Sequence, residues 1–372
     1  MIDLRPVGYV IGLLLVTLGA MMVFPMALDY ASGNDNWMAF FEAAIVTATA
    51  GGMLALSCAN AARGGKGITL RQSFVLTTAT WVALPVFGAL PFMFGEPDAS
   101  ATNAIFEAVS GVTTTGTTVF SGLDDLPPGT NLWRAILQWL GGLGIVIVAM
   151  IFLPVMKVGG MQFFRSEGFD TLGKILPRAF DIAAALIRVY IMLTVASALS
   201  YFALGMSGFD AVVHALTTVS TGGFSNSDIS FAKFDSNMEL VAIVFMLLAS
   251  MPFIRFVQAT QGSFRPLWQD PQVRAYLRWN CYGIAAVVIY EMVHLDRPFW
   301  ETLRESSFNI VSTFSGTGFA SVDLSTWGPF PFVVLIAVGL IGGCTSSTGC
   351  SVKVFRYLIL LEAIKVQIRR LR

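Results

Sequence analysis

Three short segments rich in glycine, threonine and serine have the residue types that suit binding of a dehydrated monovalent cation. Such an ion needs several oxygen ligands, and backbone carbonyls supply them without a full negative charge that would trap it. Glycine permits the unusual backbone angles that turn carbonyls toward a common axis. None of the segments contains Asp or Glu, which disfavours strong divalent-cation binding. The candidate ion ligands are Thr113, Thr114, Thr115 and Gly116; Ser220, Thr221, Gly222 and Gly223; and Ser315, Gly316, Thr317 and Gly318.

The three segments recur at similar intervals along the chain. Their aligned glycines, Gly116, Gly223 and Gly318, are 107 and 95 residues apart. A single segment of this kind is often a tight turn or a close contact between membrane helices. Irregular segments at equivalent positions of a repeated membrane unit instead indicate a binding or conduction site.

A fourth segment of small polar residues interrupts the last apolar run, between Ile341 and Ser351. It lacks the Walker A pattern of a phosphate loop. The segment predicts a flexible loop that lies beneath the three Gly/Thr segments, which would form an ion filter, and obstructs the pore. The alternative is a small-residue contact between helices. The candidate gating residues are Gly342, Gly343, Cys344, Thr345, Ser346, Ser347, Thr348 and Gly349.

Composition indicates that these segments lie in a membrane protein. The 372 residues are 55% hydrophobic and 12% charged, with a mean hydropathy of +0.71. A soluble domain has about 25% charged residues. Apolar runs long enough to cross a bilayer predict about eight spanning helices and an all-α polytopic fold. They lie near residues 8–27, 37–58, 72–93, 131–156, 181–204, 237–257, 279–294 and 330–361.

Three shorter apolar segments, at 101–112, 208–219 and 299–314, precede the Gly/Thr segments and are too short to span. They predict re-entrant pore helices, whose carbonyl ends carry partial negative charge and favour a cation. The repeated order of helix, pore helix, filter loop and helix divides the chain into four parts. These are a two-helix N-terminal unit at 1–66 and three pore repeats at 67–160, 161–262 and 263–372.

The distribution of basic residues predicts cytoplasmic N- and C-termini. With the N-terminus inside and the three short helices entering and leaving on the outer side, 18 of the 23 basic residues lie inside, as the positive-inside rule requires. Only Arg134, Lys233, Arg297 and Arg304 lie outside, and Arg188 lies within a span. This pattern favours a multi-pass protein of a cell inner membrane.

Other classes of function receive little support from the sequence. A net charge of zero argues against nucleic-acid binding. The four cysteines form no CxxC pair, so neither a divalent nor a transition-metal site is expected. An intramembrane protease needs a nucleophile beside a His on a neighbouring helix, and only His214 and His294 are present. The sequence therefore favours a transporter over an enzyme, with no bound cofactor.

Several motifs together resemble the TrkH branch of the Trk/Ktr/HKT potassium transporter superfamily, and the resemblance covers nearly the whole chain. The motifs are SGVTTTG at 110–116, QWLGGLG at 138–144, LPV at 153–155 with GGMQ at 159–162, GGFS at 222–225, and GGC at 342–344 followed by KVFR at 353–356. The resemblance implies potassium uptake through a filter that contains Gly116, Gly223 and Gly318, with an intramembrane gating loop at 342–351. It also implies a homodimer that binds a cytosolic nucleotide-binding regulatory subunit of the TrkA type.

The chain departs from the family pattern in the number of repeats. The family has four around one pore, whereas three are found here. A fragment or premature stop, a split protein with its fourth repeat on another chain, a subunit that recruits a substitute, and a non-conducting membrane subunit all remain open. Channel-like flow and symport coupled to sodium or protons are also left open, as is the nucleotide that a regulator would sense.

Overall fold

The computed structural model describes residues 3–62, 69–151 and 179–371. The described residues are mostly helical and include one pair of two-residue strands. In chain order the helices are α1 (Arg5–Met21), α2 (Val23–Ala31), α3 (Trp37–Ala62), α4 (Leu70–Gly88), α5 (Leu90–Phe94), α6 (Ala101–Val112), α7 (Pro128–Ile151), α8 (Ala179–Ala203), α9 (Gly208–Val219), α10 (Ser236–Ala249), α11 (Phe253–Thr260), α12 (Arg265–Gln269), α13 (Pro271–His294), α14 (Phe299–Ser315), α15 (Pro329–Gly339) and α16 (Val354–Leu371); β1 (Ile341–Gly342) and β2 (Val352–Lys353) lie between the last two.

Four described helical segments are long and apolar enough to cross a membrane: Arg5–Ala31, Trp37–Ala59, Arg71–Phe94 and Ala183–Ala203. A fifth span is possible if α10 and α11 are taken together, although they are bent by 93°. All eight predicted apolar runs contain helix, so the all-α polytopic fold is confirmed. The described residues form two compact units that divide between Gly141 and Gly142.

In the first unit, α1 packs along α3 and α4 packs against α6. The backbones of α1 and α3 approach so closely that a Cβ on Gly12 would lie 2.6 Å from the Gly51 carbonyl oxygen. Small residues permit this kind of close packing between helices in lipid. Ser100 begins α6, since its hydroxyl accepts a hydrogen bond of 3.3 Å from the Asn103 backbone.

In the second unit, α9 packs against α8, and α14 packs against α13 and α10. Both α9 and α14 lie around a buried core that includes Tyr201, Met246, Phe231, Phe308 and Phe319. This core holds the second and third short helices against the longer helices. The three short helices were predicted at 101–112, 208–219 and 299–314, and the structure gives Ala101–Val112, Gly208–Val219 and Phe299–Ser315.

Three predicted spans need correction. The run at 237–257 is not one helix: α10 ends at Ala249 and α11 begins at Phe253, because Pro252 cannot continue the hydrogen-bond ladder of α10. The run at 330–361 divides into α15 and α16, as its Gly- and Ser-rich centre suggested. The run at 279–294 begins eight residues earlier, at Pro271, where the Asp270 carboxylate accepts a hydrogen bond of 2.9 Å from the Gln272 backbone.

Candidate ion pathway

The first Gly/Thr segment follows α6 and is tied back to that helix by hydrogen bonds. The Thr115 backbone N–H donates to the Ser110 carbonyl at 2.9 Å, and the Ser110 hydroxyl donates to the Thr117 carbonyl at 2.6 Å. The Thr113 hydroxyl donates to the Val109 carbonyl at 2.7 Å. These bonds fix the segment against the end of its short helix.

A buried carboxylate lies behind this first segment. Glu107 Oε1 accepts hydrogen bonds from the Thr118 hydroxyl and from Arg134 Nε, both at 2.8 Å. Its Oε2 accepts a bond of 3.0 Å from the Val119 backbone N–H. Glu107 and Arg134 are 0% and 1% exposed. A buried carboxylate is costly unless it is paired and hydrogen-bonded, and here both conditions are met.

The second segment has the same relation to α9. The Gly222 backbone N–H donates to the Thr217 carbonyl at 2.9 Å. His214 is fully buried, and its Nδ1 lies 2.8 Å from the Asp210 carbonyl, which can only accept. In the neutral ring, Nε2 therefore accepts from the Ser225 hydroxyl, 3.0 Å away.

The third segment follows α14. The Thr317 backbone N–H donates to the Ser312 carbonyl at 2.9 Å, and the Ser312 hydroxyl donates to the Phe319 carbonyl at 2.7 Å. Asn309 Nδ2 lies 3.0 Å from the Ser321 hydroxyl, and Asn309 Oδ1 accepts from the Ser321 backbone at 3.3 Å. Each segment is thus held to the short helix that precedes it.

The three segments share an alternating backbone conformation. In each, the aligned glycine and the residue two positions before it have a positive φ. Alternation of this kind turns successive carbonyls toward one side of the chain, as a carbonyl-lined filter requires. The angles are +55° and +80° at Thr114 and Gly116, +50° and +79° at Thr221 and Gly223, and +78° and +82° at Gly316 and Gly318.

Threonine in the left-handed region is unusual, because its branched Cβ crowds the backbone. Such strain costs about 1–2 kcal/mol per residue. Thr114 and Thr221 both carry it. Strained residues of this kind concentrate at ligand clamps and other functional sites. Their equivalent positions in two of the Gly/Thr segments favour a functional reason for the strain.

The second and third segments lie directly against each other in the second unit. A Cβ added to Gly223 would collide with the carbonyl oxygen of Thr317. Within the described ranges, no donor bonds to the carbonyl oxygens of Gly316 or Thr317 in this third segment. Those of Thr114 and Thr115 in the first segment likewise accept no bond from a described residue. Such carbonyls can serve as ligands for a cation.

A short pair of strands brings together the two ends of the candidate gating loop. Ile341 pairs with Val352 and Gly342 pairs with Lys353 in a short parallel ladder. The Ser351 hydroxyl also donates to the Gly339 carbonyl at 2.7 Å. The loop is therefore a closed unit between α15 and α16.

The loop docks where α10 breaks. The last carbonyls of a helix have no partner within it. The Cys344 backbone N–H donates to the Ser250 carbonyl at 2.8 Å, and the Thr348 backbone N–H donates to that of Ala249 at 3.3 Å. In return the Phe253 N–H, at the start of α11, donates to the Ser346 carbonyl at 2.9 Å. The loop thus satisfies the backbone groups that the bend exposes.

The same loop contacts the carboxyl ends of two short helices. The Thr348 hydroxyl lies 3.1 Å from the carbonyl of Val219, the last residue of α9. The Cys350 backbone N–H donates to the carbonyl of Ser315, the last residue of α14, at 3.2 Å. Lys353 Nζ donates to the carbonyls of Ser347 and Gly349 inside the loop. The loop therefore lies at the start of the second and third Gly/Thr segments.

Comparison with known proteins now decides the class of protein. Residues 36–372 match the TrkH family, described as cation transport proteins. The chain belongs to the TrkH family. This membership settles the class as a transporter rather than an enzyme and makes the chain a membrane protein, as the sequence predicted.

Individual relatives of this TrkH-family chain cover nearly all of it. The Trk system potassium uptake protein TrkI of Halomonas elongata is 37% identical over 98% of the chain and 74% of its own length. The TrkH protein of Escherichia coli K12 is 34% identical over 99% of the chain and 77% of its own length. The crystal structure of the potassium transporter TrkH from Vibrio parahaemolyticus matches with a TM-score of 0.90 and 30% identity, over 100% of the chain and 77% of that chain.

Some of the residues that carried the TrkH resemblance lie outside the described part of the structure, namely those at 153–155 and 159–162. The same holds for the predicted inner charges Arg63, Lys66, Lys157, Arg165, Lys174, Arg178 and Arg372. Among the described residues, no cluster of three His, Cys, Asp or Glu side chains is arranged to hold a metal ion.

Sequence reasoning missed two features of this site. The break of α10 that receives the loop was not predicted, although Pro252 is a signal for it. The contacts of His214 and Asn309 behind their segments were not foreseen either. His214 and Asn309 each lie nine residues before their aligned glycine, as Glu107 does, and this common spacing was the available signal.

Proposed function

We propose that the chain carries potassium ions across a cell membrane through a pore lined by the backbone carbonyls of its three Gly/Thr segments. The observation that carries the proposal is the paired positive φ at equivalent positions of all three segments. It supports a row of carbonyls facing one way, which can replace the hydration shell of a monovalent cation. The relatives named as potassium uptake proteins support potassium as the substrate.

The filter is proposed to comprise residues 113–116, 220–223 and 315–318. Those of the second segment lie beside those of the third through the contact of Gly223 with Thr317. The filter contains no carboxylate, so a divalent cation would not find the charged oxygen ligands that it prefers. The short helices α6, α9 and α14 end where the segments begin, which favours a cation at their carboxyl ends.

The loop at 342–351 is proposed to gate this pore. Its contacts with Val219 and Ser315 support a position at the inner end of the second and third segments. Weak individual hydrogen bonds, each worth about 1 kcal/mol net, hold it in place. A loop held in this way can be released by a modest change elsewhere in the protein.

The proposed organisation is a two-helix unit at 1–66 followed by pore repeats at 67–160, 161–262 and 263–372. The chain is placed in the cell inner membrane with both termini cytoplasmic, which the distribution of basic residues supports. A homodimer bound to a cytosolic nucleotide-binding subunit of the TrkA type is proposed as the assembly, and the family resemblance supports it. No bound cofactor is needed, since potassium is the substrate.

Potassium uptake into a cell that lacks its own potassium transporters tests the proposal. Cells expressing the full chain are expected to grow at low external potassium and to accumulate rubidium, while empty-vector cells do not. A Gly223→Asp variant is a matched negative control, because a carboxylate beside Thr317 would block the path. Uptake no greater than in the empty-vector cells, with the protein present in the membrane, would contradict the proposal.

A further inference from the structure

Each short helix carries a buried polar side chain nine residues before its aligned glycine. These residues are Glu107, His214 and Asn309, which are 0%, 0% and 1% exposed. Their chemistry differs, being a carboxylate, an imidazole and a carboxamide. Buried polar groups are costly unless they are hydrogen-bonded. Three of them at the same position relative to the aligned glycine therefore indicate a common role.

All three side chains make the same kind of contact. Each one bonds to the stretch two or three residues after its glycine. Glu107 accepts from Thr118 and Val119, at 2.8 and 3.0 Å. His214 lies 3.0 Å from the Ser225 hydroxyl, and Asn309 lies 3.0 Å from that of Ser321.

These contacts lie outside the row of carbonyls that faces the ion. The bonded groups are hydroxyls and backbone N–H groups that follow the glycine. A second hydroxyl, three residues later on the helix, holds the carbonyl of the residue after the glycine in two repeats. That bond joins Ser110 to Thr117 at 2.6 Å and Ser312 to Phe319 at 2.7 Å.

We propose that Glu107, His214 and Asn309 are positioning residues that fix the outer end of the filter and thereby set its discrimination between potassium and sodium. A segment tied at both ends cannot contract easily around the smaller sodium ion, so looser ties reduce the preference for potassium. The three side chains act through the filter backbone and not as ligands. The inference rests on the proposed potassium transport.

Asn309 offers the clearest test, since it has no ionised partner that a substitution would strand. Asn309→Ala is expected to raise the ratio of sodium to potassium uptake on the order of tenfold, the free-energy equivalent of about one buried hydrogen bond. Asn309→Asp keeps the acceptor for the Ser321 N–H but loses the Nδ2 donor to the Ser321 hydroxyl and the Glu305 carbonyl, and is expected to restore the parent ratio only in part.

Ser306→Ala is the matched control on the same helix. Ser306 is also fully buried, and its hydroxyl has no hydrogen-bond partner among the described residues. Its removal is expected to leave the ratio unchanged. Ser321→Ala removes the bonded hydroxyl from the loop side and is expected to shift the ratio in the same direction as Asn309→Ala, even if Asn309→Ala fails to fold.

Two results would overturn the inference while leaving potassium transport intact. One is a parent that discriminates normally together with unchanged ratios in Asn309→Ala and Ser321→Ala. The other is an equal shift in Ser306→Ala, which would indicate general loss of packing. A parent that moves no potassium would instead remove the proposed function and this inference with it.

Discussion

Gly223 and Gly318 have nearly the same backbone conformation but different surroundings. Their φ angles are +79° and +82°. A Cβ on Gly223 meets the Thr317 carbonyl, whereas one on Gly318 has no described atom within 4 Å. The pair therefore separates the cost of a left-handed backbone from the cost of a steric clash.

Gly223→Ala is expected to reduce the preference for potassium over sodium on the order of tenfold or more, because its methyl group displaces a carbonyl of the adjoining segment. Gly318→Ala carries only the left-handed penalty of about 1–2 kcal/mol and is expected to have a smaller effect. Rubidium and sodium uptake in parallel cultures provide the measurement. Equal effects of the two changes would contradict the contact between the segments.

Glu107 is a second residue whose chemistry can be tested singly. In Glu107→Gln, one oxygen becomes an NH₂ group that must face either the Val119 N–H or Arg134 Nε–H, both of which are donors. The change is expected to lower the free energy of unfolding by about 1–3 kcal/mol, the cost of an unsatisfied buried group. The thermal unfolding midpoint in detergent should fall accordingly. Glu42→Gln, at an exposed position, should leave the midpoint unchanged, and equal midpoints for both variants would refute the assignment.

At the scale of elements, the loop at 342–351, proposed to gate the pore, and the broken helix α10 depend on each other. The Thr348 hydroxyl lies 3.1 Å from the carbonyls of both Ala249 and Val219. Thr345 lies in the same loop, and its hydroxyl is buried with no hydrogen-bond partner among the described residues. The two threonines thus differ in whether their hydroxyls have hydrogen-bond partners among the described residues.

Thr348→Val is expected to raise the unregulated leak of potassium severalfold, because it removes a loop contact worth about 1 kcal/mol without changing side-chain shape. Thr345→Val removes no contact and should behave like the parent. Efflux from preloaded cells measures the leak. A fall in flux for Thr348→Val, with normal amounts of protein in the membrane, would argue that the loop does not obstruct the pore.

Elements of this fold differ in how well local sequence specifies them. The short helices at 101–112 and 208–219 were predicted to the residue, because polar caps and Gly/Thr segments bound their apolar runs. The bend after Ala249 was missed, because the run at 237–257 is uniformly apolar and the loop that satisfies the exposed carbonyls comes about 100 residues later. The contacts of His214 and Asn309 were missed for a different reason: their partners lie only 11 and 12 residues later, but the bonds form only because the chain turns back after the Gly/Thr segment.

At the scale of the whole molecule, the placement of charges predicts an orientation in the membrane. Trp300, at the start of α14, should face outward, and Lys365, on α16, should face the cytoplasm. Single cysteines at these positions, in a chain with the four native cysteines replaced by alanine, are tested with a membrane-impermeant thiol reagent. Trp300→Cys should react in intact cells and Lys365→Cys only after permeabilisation. The opposite result would reverse the orientation.

The most direct measurement of the central claim is cation flux through the purified chain in liposomes, with potassium or sodium as the only permeant cation. The account predicts potassium flux well above that of protein-free vesicles and at least about tenfold above sodium flux, as expected of a filter lined by backbone carbonyls. Flux that does not distinguish the two cations, or that does not exceed the protein-free level, would contradict it.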